Sequence, residues 1–183
     1  MTLFGTGHPS RALDHAEAAI IAVAEQRGTG VVTVQNLGFR SPRLTLPSGI
    51  HVITPGRLKA DELSLRLHAS DVLLLPFTDG VSSRRTTLMA GLAHGVPTVG
   101  LSGASTDRVF LEHGDALTLT PFGEIHRFAH TVAAVCEDEA RRHALGEAGR
   151  RLYQDEFDWP VIARRVRAAV EDQQGGRCST TIA

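Results

Sequence analysis

Lysine is almost absent from this chain. Of its 19 basic residues one, Lys59, is a lysine and the rest are arginines. Arginine in place of lysine follows from a GC-rich genome as readily as from phosphate chemistry, so the bias alone assigns no function. Cysteine is scarce too. Cys136 lies in an apolar helical pattern and Cys178 in a polar tail, which gives no disulfide framework and points to a reducing compartment. No apolar run reaches the ~18–20 residues of a membrane span. The opening "MTLFGTGHPSR" has neither the charged nor the apolar region of a signal peptide. A cytoplasmic location without a membrane span is the expectation, peripheral membrane contact being left open. A formal net charge of −1 supplies no global basic field, so nucleic acid is not an expected partner. No Gly-x-Ser-x-Gly elbow, Walker loop or paired carboxylates of a glycosidase are present. Nine histidines invite a metal, and His126 and His130 stand i,i+4 on an expected helix. No third ligand follows at a motif spacing, and no metal is expected.

What is present is a chain of 183 residues with 42% hydrophobic and 21% charged content, enough for one domain that buries roughly 70% of its unfolded surface. Strand and helix patterns alternate. "TLFG", "GVVTVQ", "IHVITPG", "DVLLLPF", "PTVGL" and "ALTLTP" read as strands, "DVLLLPF" being of the continuous apolar kind that is buried on both faces. Between them "RALDHAEAAIIAVAEQRG" reads as a helix with Leu13, Ala16, Ile20, Val23 and Ala24 inward, and "KADELSLRLHAS" as a shorter one. A helix opens at Thr86, with Leu88, Met89, Leu92 and Ala93 on its buried face, Ser82 or Ser83 as its N-cap, and Gly95 and Pro97 at its close. Helical patterns near residues 123–136, 138–155 and 159–172 finish the chain. The expected fold class is α/β: a Rossmann-like, mostly parallel sheet with helices on both faces. One domain over 1–172 is expected, with a frayed tail over 173–183.

Ligands of open α/β sheets bind outside the carboxyl ends of the strands. Three loops belong there: "GTGHPSR", "TPGRL" and "FTDGVSSRR". In the first, Arg11 stands where a helix begins; in the third, Arg84 and Arg85 do the same. A helix N-terminus already carries about half a positive charge, and a cation there costs roughly 0.3–1 kcal/mol. Two such misplacements on the ligand side of the sheet point to an anion, phosphate above all. The competing reading pairs Arg84 and Arg85 with Asp79 or Asp107 at the surface. A nicotinamide dinucleotide site is poorly supported, because "GTGHPS" is G-x-G-x-x-S and no acidic residue ends the second strand.

Over residues 3 to about 172 the chain resembles the C-terminal, donor-binding domain of GT-B-fold glycosyltransferases, in particular the retaining group 1 type that uses nucleotide-diphosphate sugars. "FGTGHPSRALD" resembles that family's first turn, a glycine followed six residues on by a basic residue that grips the diphosphate, here Gly5 and Arg11. "GRLKADELSLRLHASDVLLLPF" resembles the segment whose first residues, here Arg57 and Leu58, pack on the nucleobase. "LMAGLAHGVPTVG" resembles the run of small residues, glycine, proline and valine. "FDWPVIARR" resembles the segment that in full-length members crosses back to the N-terminal domain, so Phe157, Trp159, Val161 and Ile162 are expected to leave an apolar face exposed. Where the family has two glutamates eight positions apart, this chain has Ser82 and Ala90. It resembles a variant lacking that motif, with ribose contacts expected from Ser82, Ser83 or backbone amides.

The resemblance implies a nucleotide sugar as substrate, no cofactor and no metal. It implies donor or phosphate contacts from Gly5, Thr6, Gly7, Arg11, Gly80, Val81, Ser82, Ser83, Arg84 and Arg85. Arg11 and Arg84 are the catalytic candidates, stabilising the leaving diphosphate. An N-terminal acceptor domain or equivalent subunit is the implied partner, and the chain alone is expected to turn over poorly. A noncatalytic nucleotide-sugar or phosphate-binding module stands as the alternative, and a GT-B sugar epimerase behind it.

Overall fold

The first strand, Thr2–Phe4 (β1), is the pivot of the topology. Leu13–Arg27 (α1) carries the chain to Thr33–Leu37 (β2), and a long loop then leads to His51–Ile53 (β3). Ala60–His68 (α2) returns it across β1 to Leu73–Leu75 (β4), followed by Thr86–Ala93 (α3), Thr98–Ser102 (β5), Arg108–Glu112 (α4) and Thr118–Pro121 (β6). Ile125–Glu137 (α5), Glu139–Leu152 (α6), a π-helical turn Tyr153–Phe157 and Trp159–Gly176 (α7) complete it. This is a computed structural model, and it describes residues 1–5, 7–28 and 31–176. All neighbouring strands pair in parallel, in the order β3-β2-β1-β4-β5-β6. The expected α/β, Rossmann-like sheet with helices on both faces is therefore the observed one.

Alternation along β4 sorts the core into two layers. Val72 and Leu74 face one side with Leu3, Val34, Val99 and Leu101, against Ala16, Ile20 and Val23 of α1 and Phe128 and Val132 of α5. Leu73 and Leu75 face the other with Leu88 and Leu92 of α3, Phe110 of α4 and Leu152 of α6. All three β4 residues are fully buried, as a central strand covered on both faces requires. In α1 the expected stripe is inward except Leu13, which is half-buried; His15 is buried in addition, stacked on Phe122 with ring centroids 5.4 Å apart.

Local departures have simple causes. β2 begins at Thr33 rather than at Gly30, because pairing Thr2 with Gln35 sets its register against β1. The short helix α4 was not anticipated. Helix α7 continues to Gly176, past the expected boundary at residue 172, and Cys178 lies outside the described residues. Of the four expected apolar residues at the C-terminal segment, Trp159 is 76% exposed, while Val161 and Ile162 are half-buried. Phe157 is half-buried too, stacked on Phe110 at 5.5 Å. Val166 and Val170 extend the exposed apolar stripe along α7. Among the described residues no helix is long and apolar enough to cross a membrane.

Helix α6 comes close to the turn after α3 because it is glycine there. A Cβ at Gly146 would run into the carbonyl oxygen of Gly95. In an exposed helix Gly→Ala stabilises by up to about 1 kcal/mol. At this backbone contact it overpacks, at a cost of about 1–3 kcal/mol. Gly146→Ala is therefore expected to lower the urea midpoint, and an unchanged or raised midpoint would contradict the packing.

Candidate functional site

The chain leaves β1 toward β2 and β3 on one side, and the later strands build outward from β4 on the other. The strand order reverses between β1 and β4, and the carboxyl ends of these two strands are the place where open α/β sheets take their ligands. Backbone bonds join the two loops there. The Ala12 amide donates to the Pro76 carbonyl at 2.7 Å, and the Thr78 amide donates to the Ser10 carbonyl at 2.8 Å. Between these bonds Arg11 and Phe77 form an isolated antiparallel bridge.

That bridge turns Arg11 inward, and the residue keeps only 7% of its surface exposed. Nη2 donates to the Phe4 carbonyl. Nε and Nη1 are buried without a partner. Burial pushes the guanidinium down to about 10, which leaves it charged at neutral pH in a place where water does not compensate it. Buried polar groups are ordinarily satisfied, and a buried cation with two idle donors is costly. Its guanidinium carbon lies 5.9 Å from the centre of the Phe77 ring.

Arg85 comes to the same ring from the other loop, 3.7 Å from its centre. Its Nε donates to the Gly80 carbonyl at 3.1 Å and its Nη2 to the Asp79 carboxylate. This guanidinium is therefore already neutralised and holds the 79–85 loop in shape. Arg84 is exposed, and its charge acts on Asp107. The competing reading, pairing with Asp79, thus holds for Arg85, and of the three arginines Arg11 and Arg85 meet at Phe77.

The cap of α3 needs correction. The N-cap position is Arg85, with no side-chain cap bond, not Ser82 or Ser83. Ser82 is buried, and its carbonyl accepts from the Arg85 amide. Ser83 is drawn away by Asp107, to which its amide and its hydroxyl each donate at 2.6 Å. Those bonds from Ser83, with Arg84's charge adding, hold the Asp107 carboxyl below the usual carboxylate range. The helix therefore starts without a side-chain cap. Gly80 and Val81 are buried in the same loop.

On the β1 side Gly5 is the contact point. It has φ +119°, and a Cβ there would lie 2.9 Å from Thr87 Cγ2 and 3.3 Å from Arg11 Nη2. Gly38 packs behind it so closely that a Cβ would lie 2.6 Å from the Gly5 carbonyl oxygen. The Gly7 amide is spent on the Arg40 carbonyl at 3.2 Å. Thr6 lies outside the described residues. Arg57 and Leu58 line a separate cavity of about 180 Å³ with Phe4 and Phe39.

Sequence reasoning missed Phe77 and Phe39. The signal for Phe77 was an aromatic at the carboxyl end of the most buried strand; for Phe39 it was a lone aromatic between Gly38 and Arg40. Among the described residues no three His, Cys, Asp or Glu side chains come together to hold a metal, and His126 and His130 are both exposed. A larger cavity of about 440 Å³, lined by Thr33, Asp71 and Cys136 among others, opens away from the crevice. Its two arginines, Arg27 and Arg142, both donate to the Cys136 carbonyl, and Arg27 also pairs with Glu137 at 3.7 Å.

No family model matches the chain, and no curated protein matches it. Solved structures do. Sucrose-phosphate synthase from Thermosynechococcus elongatus superposes with a TM-score of 0.72 at 17% identity, over 96% of this chain and 45% of that one. The C-terminal domain of a group 1 family glycosyl transferase, LpcC, from Francisella tularensis gives 0.68 at 12%, over 86% and 85%. Anabaena HepE in complex with UDP gives 0.71 at 18%, over 93% and 48%. The fold is that of one GT-B half-domain. The chain spans 45% of the sucrose-phosphate synthase chain and 48% of the HepE chain, and it covers most of the LpcC domain.

Within this GT-B half the idle donors of Arg11 give a stability signature. Replacing Arg11 by Met, of similar length and uncharged, removes a buried cation whose Nε and Nη1 have no partner in the protein. The ligand-free protein is expected to gain about 1–3 kcal/mol, net of the lost bond to Phe4, read as a higher urea midpoint. A loss of stability would show that the guanidinium is already compensated.

Proposed function

We propose that this domain binds the diphosphate of a nucleotide-diphosphate sugar in the Arg11 crevice and is the donor half of a glycosyltransferase. The observation that carries the reading is the buried Arg11 guanidinium with Nε and Nη1 unpartnered, on the ligand side of a sheet with the GT-B half-domain order. The similarity to HepE, solved with UDP and with UDP-glucose, supports a nucleotide sugar as ligand.

In the reaction the bond between the anomeric carbon and the diphosphate oxygen breaks, and its electrons stay on the departing nucleoside diphosphate. The acceptor hydroxyl oxygen bonds to the anomeric carbon and its proton passes to the departing diphosphate. Charge grows on the diphosphate, where fixed cationic donors are most effective in a site that excludes water. Arg11 supplies the fixed donors. Arg84, exposed at the start of α3, adds charge from the open side. Arg85 holds the loop through Asp79 and Phe77. The Gly5 turn, the 80–83 loop and the uncapped start of α3 supply close backbone approach. No metal is needed, because arginine charge takes its place.

The acceptor is supplied by an N-terminal acceptor domain or equivalent subunit, and the exposed stripe of Trp159, Val166 and Val170 is the face offered to it. A second reading, a noncatalytic nucleotide-sugar-binding module, is favoured by Ser82 and Ala90, since neither can act as a carboxylate. Turnover of a nucleotide sugar in the presence of the acceptor half separates the two.

UDP, GDP or dTDP is expected to bind in the presence of EDTA, measured by calorimetry or thermal shift. Arg11→Ala is expected to weaken the diphosphate by about 1.5–3 kcal/mol, the range for a charged hydrogen bond, and to leave the uncharged nucleoside almost unchanged. Equal losses for both would remove the phosphate role, and no shift with any nucleotide at millimolar concentration would remove the donor site.

A further inference from the structure

Another cavity lies on the opposite face of the sheet from Arg57 and Leu58. In β2, Val34 belongs to the core layer under α1, and Asn36, two residues on, shares its side. The register pairs Val34 with Val52, so Val52 of β3 stands on that side too. The loop between β2 and β3 folds over them. Leu44 and Leu46 pack on the α1 layer, and the Thr45 amide donates to the Glu17 carboxylate of α1 at 2.6 Å. Between this loop and the edge strand a cavity of about 370 Å³ remains, lined by Asn36, Ser41, Arg43, Leu44, Val52 and Thr54 among others. Sites for small molecules run from about 300 to 1,000 Å³.

Asn36 lacks a partner there. It is 1% exposed, and its Nδ2 donates to the Pro42 carbonyl at 2.7 Å. A carbonyl only accepts, so the nitrogen belongs on that side of the amide and the oxygen on the other. Oδ1 is left buried without a donor. Buried acceptors are ordinarily satisfied, and an idle one is costly. The Ser41 hydroxyl donates to the Gly38 carbonyl at 2.9 Å, which leaves its oxygen able to accept. Arg43 is exposed and takes part in none of the ion pairs among the described residues.

We propose that this cavity is a second ligand site, for a monosaccharide that carries an anionic group, phosphate or carboxylate. One sugar hydroxyl donates to Asn36 Oδ1, and another meets the Thr54 hydroxyl. The anionic group meets Arg43, whose guanidinium is donor-only. The C–H face of the ring lies on Leu44 and Val52. The lining excludes two other ligand classes. It holds no carboxylate to balance an ammonium, which disfavours an amino acid or an amine, and no aromatic ring on which a base would stack. The site uses neither Arg11 nor the loop after β4, so it does not rest on the donor reading. It is nevertheless close to the turn after β1. The Gly7 amide donates to the Arg40 carbonyl, and a Cβ on Gly7 would lie 3.9 Å from Pro42 Cδ.

The test measures glucose 6-phosphate, glucuronate, glucose and inorganic phosphate by calorimetry, with UDP as the control for the donor crevice. The better of the two anionic sugars is expected to bind about tenfold tighter than glucose or more, the effect of one charge-assisted hydrogen bond, and which of them it is distinguishes phosphate from carboxylate. Arg43→Gln is expected to bring that sugar within about twofold of glucose, since only the charged bond is lost. Thr54→Val is expected to weaken all three sugars by roughly threefold to tenfold, the range of one neutral hydrogen bond. Asn36→Leu, similar in size, removes the idle acceptor and is expected to abolish sugar binding. Should it fail to fold, the variants at exposed Arg43 and Thr54 still decide. UDP binding is expected to be unchanged by Arg43→Gln and Thr54→Val. No binding of any of the three sugars at millimolar concentration overturns the proposal, as does inorganic phosphate bound as tightly as glucose 6-phosphate, or a preference for the anionic sugar that survives Arg43→Gln. Sugar binding without UDP binding overturns the donor crevice and leaves this site standing.

Discussion

Arg11 is a cation held out of water by the backbone on both sides of it. The Ala12 and Thr78 amide bonds tie its loop to the one after β4, and the bridge to Phe77 leaves the side chain nowhere to go but inward. One guanidinium nitrogen is satisfied by the Phe4 carbonyl, and two are not. The fold keeps this costly arrangement at the point where β1 and β4 diverge. An anion is the partner that such a group lacks.

The rest of the site is arranged around that constraint. Phe77 gives both arginines a common surface, and Asp79 neutralises Arg85 so that two cations can share one ring. Ser83 and Asp107 fix the far side of the loop, and in doing so leave α3 without a side-chain cap. Gly5 and Gly38 meet back to back, and Gly5 brings the turn after β1 against Thr87 of α3.

Much of the architecture was legible in the residues. In "DVLLLPF" every position after Asp71 is apolar because β4 is covered on both faces, and the helix-strand alternation follows from parallel crossovers. The misplaced charges of Arg11, Arg84 and Arg85 do lie in the loops after β1 and β4, at the carboxyl ends of the strands. What could not be read depended on long-range pairing. The inward turn of Arg11 comes from contact with residues 76–78, sixty-five positions away or more, and nothing in "GTGHPSR" encodes it. Ser83 reads as a helix cap by local chemistry, but Asp107 competes for it from another loop. The start of β2 was misplaced because Val31 and Val32 look like strand residues, while register against Thr2 is set by the neighbour. Phe39 was passed over because a single exposed aromatic carries no periodic signal.

The account stands on the two idle nitrogens of Arg11. A crystal structure of the protein with a bound nucleoside diphosphate examines them directly. The account predicts a phosphate oxygen within about 2.7–2.9 Å of Nε or Nη1, the distance of a charge-assisted hydrogen bond, with the Phe4 contact kept. A diphosphate bound elsewhere on the molecule, with both nitrogens still without a partner, would contradict it.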